Sequence, residues 1–292
     1  MPTARRISRV VTTPAPAPGF MGAGHTAVPV VDPGEFARQD PFILLMDDRI
    51  DLEPGAPAGG AHPHAGFETV TFVLEGGVRD RLEGSLGTGD VQWMTAGSGV
   101  IHNEDVTPLG RTRILQLWLT LPREARWTSP RLETIARADA PVRRAPGAEI
   151  RVYSGSSGNV RAATHNFVPV TLADISLDAN ASVEQELPPS YNGFVYVIRG
   201  SLRAGADDTV LGTGQVAWLD RPASGGPSAL RLSAGDGPAR AILYAGEPTN
   251  VPIMMHGPFV AESRADLLRI SKDYMQGRLP RISEVHAAAH PG

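Results

Sequence analysis

Two stretches of this 292-residue chain are written twice, and no other feature restricts its fold as much. Residues 86–94 read LGTGDVQWM and residues 211–219 read LGTGQVAWL, an offset of 125. Upstream, HPHAGFETVTFVLEG at 62–76 aligns without gaps to ELPPSYNGFVYVIRG at 186–200, an offset of 124. Two blocks in the same order at nearly the same spacing mark a duplicated domain, and the period is far too long for a solenoid repeat. The copies join within 123–148, a stretch rich in Arg, Ala and Pro. We therefore expect a first domain over 1–130 and a second over 131–292.

Each copy reads as β-structure. Glu68–Leu74 and Phe194–Ile198 are dominated by β-branched and aromatic residues and stop at Gly76 and Gly200. A Gly-x-Gly turn then leads into a strand carrying Trp93 or Trp218, and Ile114–Leu121 forms a further strand closed by Pro122. Gly and Pro number 32 and 26, about a fifth of the chain, which favours a turn-rich sandwich or jelly-roll barrel over a helical bundle. One helix is well marked: Ser263 and Asp266 form a capping box, Leu267, Ile270 and Tyr274 share a face with Leu268 and Met275 beside it, and Gly277 is the terminating glycine. The Pro-rich start and the last ten residues are expected to be mobile.

Composition removes several chemistries. With no cysteine, the chain has no disulfide, thiol nucleophile, iron–sulfur cluster or thiolate zinc site. The net charge of −4 and the absence of a basic run exclude a nucleic-acid footprint. No apolar run reaches the length of a membrane span. Arg5-Arg6 lacks the apolar segment that an export signal needs after it, so the expected compartment is the cytoplasm. The glycine turns do not follow the strand–turn–helix pattern of a nucleotide loop.

Histidine carries the positive signal. His62-Pro-His64 and His102-Asn-Glu104 each place two ligand types two residues apart, hence on one side of a strand. If the two strands are neighbours, three imidazoles and one carboxylate meet, a set that suits Fe, Mn, Ni, Cu or Zn rather than Ca or Mg. His-x-His alone is weak, expected about 0.2 times by chance in this composition. The second copy strengthens it. There, His62 and His64 become Glu186 and Pro188, and Pro227 and Ala229 stand near the offset of His102 and Glu104, while the scaffold pattern survives. Of the other histidines, His25 and His165 read as isolated surface or core residues. His256 lies beside a turn, and His286 and His290 fall in an Ala-rich tail. Trp93, Trp118 and Trp218 sit in strand patterns and read as core rather than substrate platform; Phe72 or Trp118 is an expected neighbour of any pocket at the site, a placement that the sequence does not itself show.

At these residues the chain resembles the pirin family, two-domain members of the cupin superfamily. The likeness is carried by Asp40–Leu45, HPHAGFETVTFVLEG, GDVQWMTAGSGVIHNE (89–104), LQLWLTLP (115–122) and GEPTNVPIMMHGPFV (246–260), and covers about residues 40–278. Where many members carry His-Arg-Asp-Ser, this chain has Val78-Arg79-Asp80-Arg81. The resemblance implies a mainly β fold of two tandem cupin-type antiparallel β-barrels with a short C-terminal helix. It also implies one divalent transition metal, Fe(II) foremost, on His62, His64, His102 and Glu104, and a second barrel without ligands. Some members resemble quercetin 2,3-dioxygenases. The implied activity is then oxidative opening of a flavonol-like or enol substrate, with Glu104 a fourth ligand or a general base. The alternative is a redox-sensitive iron-binding regulator that docks onto a protein partner such as a transcription factor or metabolic enzyme. A third reading is a non-oxidative metal lyase or isomerase.

Overall fold

A computed structural model describes residues 2–53, 56, 57, 59–80, 83–102, 106–222 and 226–289. The chain is mainly β and forms two cupin-type units. One unit comprises 15–137 and 249–292, the other 1–14 and 138–248. The chain thus changes unit between Arg137 and Ala138, and each unit takes in a segment distant in sequence.

The unit that begins at Ala15 holds a seven-stranded antiparallel sheet. Its central strands are β1 (Phe42–Ile50), β3 (Phe67–Glu75), β4 (Val91–Thr95) and β6 (Thr112–Thr120), in the order β4-β3-β6-β1. Two short strands, β2 (His62–His64) and β5 (Val100–His102), pair with each other outside this sheet. A three-stranded sheet of Val106–Pro108, Gly77–Asp80 and Gly84–Gly87 completes the β-structure around the site.

The other unit pairs a seven-stranded sheet with a five-stranded one. Its interior is aliphatic: Ile150, Ile175, Val195 and Leu243 of the first sheet pack with Leu202 and Leu230 of the second. The N-terminal segment, expected to be mobile, instead supplies the strand Ile7–Thr12, paired with Gln215–Leu219. Arg5 anchors it. This guanidinium is fully buried and donates to Ser228 Oγ at 2.9 Å and to the carbonyls of Tyr191, Asp220 and Pro188. A charged group withdrawn from water needs such a set of acceptors, and it explains why Arg5 serves the fold.

The expected helix is present as Arg264–Met275, with Ser263 Oγ accepting from the Asp266 N–H at 3.2 Å. Leu267 and Ile270 are buried against Ala65, Phe259 and Leu279, while Leu268 and Met275 are exposed. Tyr274 departs from expectation: it is exposed, with its ring edge-on to Phe259. The tail also departs, because Ile282–Ala289 is helical. Ile282 is fully buried against Met94, Val100 and Leu132, so apolar contact holds a segment that its Ala-rich composition left unmarked.

The turn after β2 is fixed by close approach. Gly66 has φ +85°, and a Cβ there would lie 1.8 Å from the Val260 carbonyl oxygen. Its N–H donates to Gly97 at 2.8 Å and its carbonyl accepts from buried Arg126 at 3.0 Å. Gly66→Ala should cost about 2 kcal/mol or more, since the left-handed conformation alone penalises a side chain and the facing carbonyl must also move. Gly237→Ala, with nothing within 4 Å, should melt like the parent protein. Equal thermal midpoints for the two variants would contradict this account.

Both faces of β3 are buried, and one holds a carboxyl. Glu68 is inaccessible to solvent; Oε1 accepts from Thr95 Oγ1 at 2.6 Å, and among the described residues Oε2 has no hydrogen-bond partner of good geometry. Burial pushes this group up to about 7, against the Thr95 hydroxyl, the Trp93 indole and the Arg131 guanidinium, which favour its charged form. A folded-state value above the unfolded one means that the native chain holds the extra proton. This stabilisation is complete below about pH 4.5 and is lost as pH rises through 7. Relative to Glu68→Gln, the parent should lose about 3 kcal/mol between pH 4.5 and 7.5 in urea unfolding. A difference that does not vary with pH would refute the assignment.

Candidate metal centre

The site rests on the pairing of β2 with β5. Their antiparallel register sets His62 opposite His102 and His64 opposite Val100. Alternation along β2 puts His62 and His64 on one side, and the register adds His102 to them. The three ring centroids lie 4.5–4.9 Å apart, and one ligand nitrogen from each ring lies within 4.8 Å of the others. His64 is buried, with Phe67 and Trp118 packed edge-on at 5.1 and 5.2 Å. Glu104 lies outside the described residues.

The protonation pattern fits a cation. His62 Nδ1 lies 2.7 Å from the Gly60 carbonyl, so Nδ1 carries the hydrogen and Nε2 presents a lone pair. That Nε2 is 3.1 Å from His102 Nε2. Two nitrogens bound to one metal at ~2.1 Å are separated by about 3.0–3.4 Å, so a single ion satisfies both. Burial holds the His62 imidazole below its ordinary range, helped by His102, against the Gly60 carbonyl and Glu83. His64 lies well below that range, by burial first and then by its two neighbours, with the Pro258 carbonyl opposing. Its Nδ1 is buried and, among the described residues, makes no hydrogen bond of good geometry. Neutral, desolvated imidazoles are the form that metals bind. The group could therefore hold a metal ion, and the donor type suits first-row transition metals.

The imidazoles open onto a cavity of about 410 Å³. Its wall includes Leu44, Met46, Ile114 and Trp118, with Thr71, Gln92 and Gln116 forming a polar row across β3, β4 and β6. Thr71 Oγ1 donates to Gln116 Oε1 at 2.8 Å, which leaves the amide nitrogen as a donor. Trp118 is thus a wall residue rather than core, whereas Trp93 is buried and Phe72 lies fully buried outside the cavity lining.

Three acids line this space that sequence reading had not marked as site residues: Asp48, Asp80 and Glu83. Glu83 Oε2 is 3.7 Å from His102 Nδ1, behind the face that meets His62. Asp80 Oδ1 accepts from the Glu83 N–H at 2.7 Å. His25 is buried against Asp48, while His165 and His256 are exposed. His290 and the His286 side chain lie outside the described residues. The duplication held part of the missing signal, since Thr71 and Gln92 align with Val195 and Ala217 of the aliphatic unit.

Two antiparallel cupin units, one of them gathering imidazoles at the end of a cavity, define a two-domain cupin protein. Residues 28–119 match the family model described as pirin, and residues 172–280 match the pirin C-terminal cupin domain. A Pseudomonas aeruginosa protein described as a candidate quercetin 2,3-dioxygenase is 35% identical over 82% of this chain and 87% of its own length. The chain belongs to the pirin family. Its fold matches a Geobacillus kaustophilus crystal structure at 39% identity and TM-score 0.78, covering 86% and 100% of the two chains. Quercetin 2,3-dioxygenase from Acinetobacter baumannii matches at 25% identity and TM-score 0.83, over 95% and 99%. The same fold recurs in a bacterial pirin from Escherichia coli, solved in complex with nickel(II), at 19% identity and TM-score 0.60 over 82% and 99%.

His62→Ala and His64→Ala should each abolish stoichiometric metal, read by elemental analysis after incubation with Fe(II) and gel filtration. The protein should still melt cooperatively, because the aliphatic unit needs no ligand. Full metal content in either variant would overturn the assignment.

Proposed function

We propose that this chain is a metal-dependent dioxygenase of quercetinase type that opens flavonol-like or other enol substrates. Iron is the proposed resident metal, with Mn, Ni, Cu and Zn as alternatives, and His62, His64 and His102 hold it. The observation that carries the reading is the convergence of three imidazoles on a cavity large enough for a multi-ring ligand. The Pseudomonas and Acinetobacter relatives named for this activity support it, and the Escherichia coli pirin of the same fold was solved in complex with nickel(II).

When bound, the metal supplies Lewis acidity toward an enol oxygen and electron exchange with dioxygen. The chain's own groups do the rest. Leu44, Ile114 and Trp118 exclude water and face the planar rings, while Gln92 and Gln116 offer hydrogen bonds that fix the ligand's orientation. Glu104 is the proposed fourth ligand and, when released, the base that takes the enol proton. The proposed compartment is the cytoplasm; among the described residues no helix is long and apolar enough to cross a membrane.

The test is aerobic incubation of iron-loaded protein with a flavonol. The expected result is loss of the flavonol with one carbon monoxide released per ring opened, falling to background in His64→Ala. No turnover at full metal occupancy, together with redox-dependent capture of one protein partner, would replace this reading with the non-catalytic regulator.

A further inference from the structure

The cavity contains a second polar device that the metal reading leaves unused. Asp48 lies on β1 and lines the cavity, and its Oδ1 is 2.7 Å from His25 Nε2. Both residues are buried, His25 at 2% exposure and Asp48 at 7%. The Met21 N–H donates to His25 Nδ1 at 3.2 Å, so the imidazole hydrogen is on Nε2 and Asp48 is the acceptor. Among the described residues the Asp48 side chain has no other hydrogen-bond partner, so one oxygen stays unclaimed on a residue that borders the cavity.

The pair is built rather than incidental. The loop over His25 passes through Gly19, where a Cβ would fall 2.1 Å from His25 Nδ1, so only glycine lets the loop lie against the ring. Phe20 packs edge-on to the same imidazole at 5.3 Å. Burial pushes the Asp48 carboxyl up, against the His25 hydrogen bond that favours its charged form; neighbouring Asp47 adds to the rise.

Register places the pair away from the imidazoles. Trp118, which touches His64, is opposite Leu44, whereas Asp48 is opposite Ile114. Four residues of strand separate these levels, about 13 Å. Met46, between them, lines the cavity along with Leu44 and Asp48, so the space is continuous over that length. A ligand with one end at the imidazoles and the other at Asp48 therefore needs two or three linked rings. Asp48 is flanked by apolar Met46 and Ile50 on its own strand and by Ile114 across from it. One unclaimed oxygen in such walls can satisfy a hydroxyl, which has a single hydrogen to donate. An ammonium would keep two more donors unmet.

We propose that Asp48, held by His25, is the distal specificity anchor of the cavity and accepts a hydrogen bond from a phenolic hydroxyl on the ligand ring farthest from the metal. The proposal rests on the metal-chelating reading for the near end of the ligand, and the test separates the two. Iron(II)-loaded protein under anaerobic conditions is titrated with 3-hydroxyflavone and with 3,4′-dihydroxyflavone, which share the one chelating group and differ only by a single hydroxyl on the far ring. The parent should bind the dihydroxy compound about tenfold or more tightly. In Asp48→Asn and Asp48→Ala the ratio should fall to within about twofold, with metal content unchanged. Binding of both ligands without preference in the parent, or a preference that survives in the variants, overturns the anchor alone. Binding of neither ligand overturns the anchor together with the chelation reading. The parent ratio decides the matter if the variants do not fold.

Discussion

The pairing of two three-residue strands, His62–His64 with Val100–His102, is the constraint on which the rest depends. It turns a sequence separation of 40 residues into a nitrogen–nitrogen distance of 3.1 Å. So short a ladder has few hydrogen bonds of its own and is held from outside. Arg126 binds the Gly66 carbonyl, Gly66 fits under Val260, and Ile282 packs on Val100. The C-terminal segment therefore acts on the site through the strands it supports.

The two units show one scaffold filled in two ways. Where the second copy has Val195 and Ala217 in an aliphatic interior, the first has Thr71 and Gln92 in the wall of a cavity. An aliphatic interior stabilises by excluding water and close packing. A cavity with polar walls forgoes part of that contact and gains a place for a ligand. Glu186, the counterpart of His62, is exposed on its strand, so the ligand positions have been released there rather than reused.

Much of this was legible in the chain itself. The duplication, the strands around Trp93 and Trp218, the Ser263 helix cap and the histidine triplet all follow from local pattern. The exchange of segments between units was not legible, because Ile7–Thr12 carries no mark of the strand it will pair with 200 residues later. Tail order was hidden for a similar reason: Ile282 is one apolar residue whose partners are remote in sequence. Asp48 and His25 were not marked because two adjacent acids in FILLMDDRI and an isolated histidine reveal nothing until β-pairing sets their strands side by side. Trp118 reads both as core and as a pocket neighbour; β-pairing decides for the wall, because Ile114, Gln116 and Trp118 share the half-buried face of β6 while Leu115, Leu117 and Leu119 are buried on the other.

The most direct measurement is metal-edge X-ray absorption on protein reconstituted with one iron per chain. The account predicts a first shell containing three imidazole nitrogens at about 2.1 Å, with the outer-ring scattering that imidazole produces. A shell of oxygen donors with fewer than three imidazoles would contradict it.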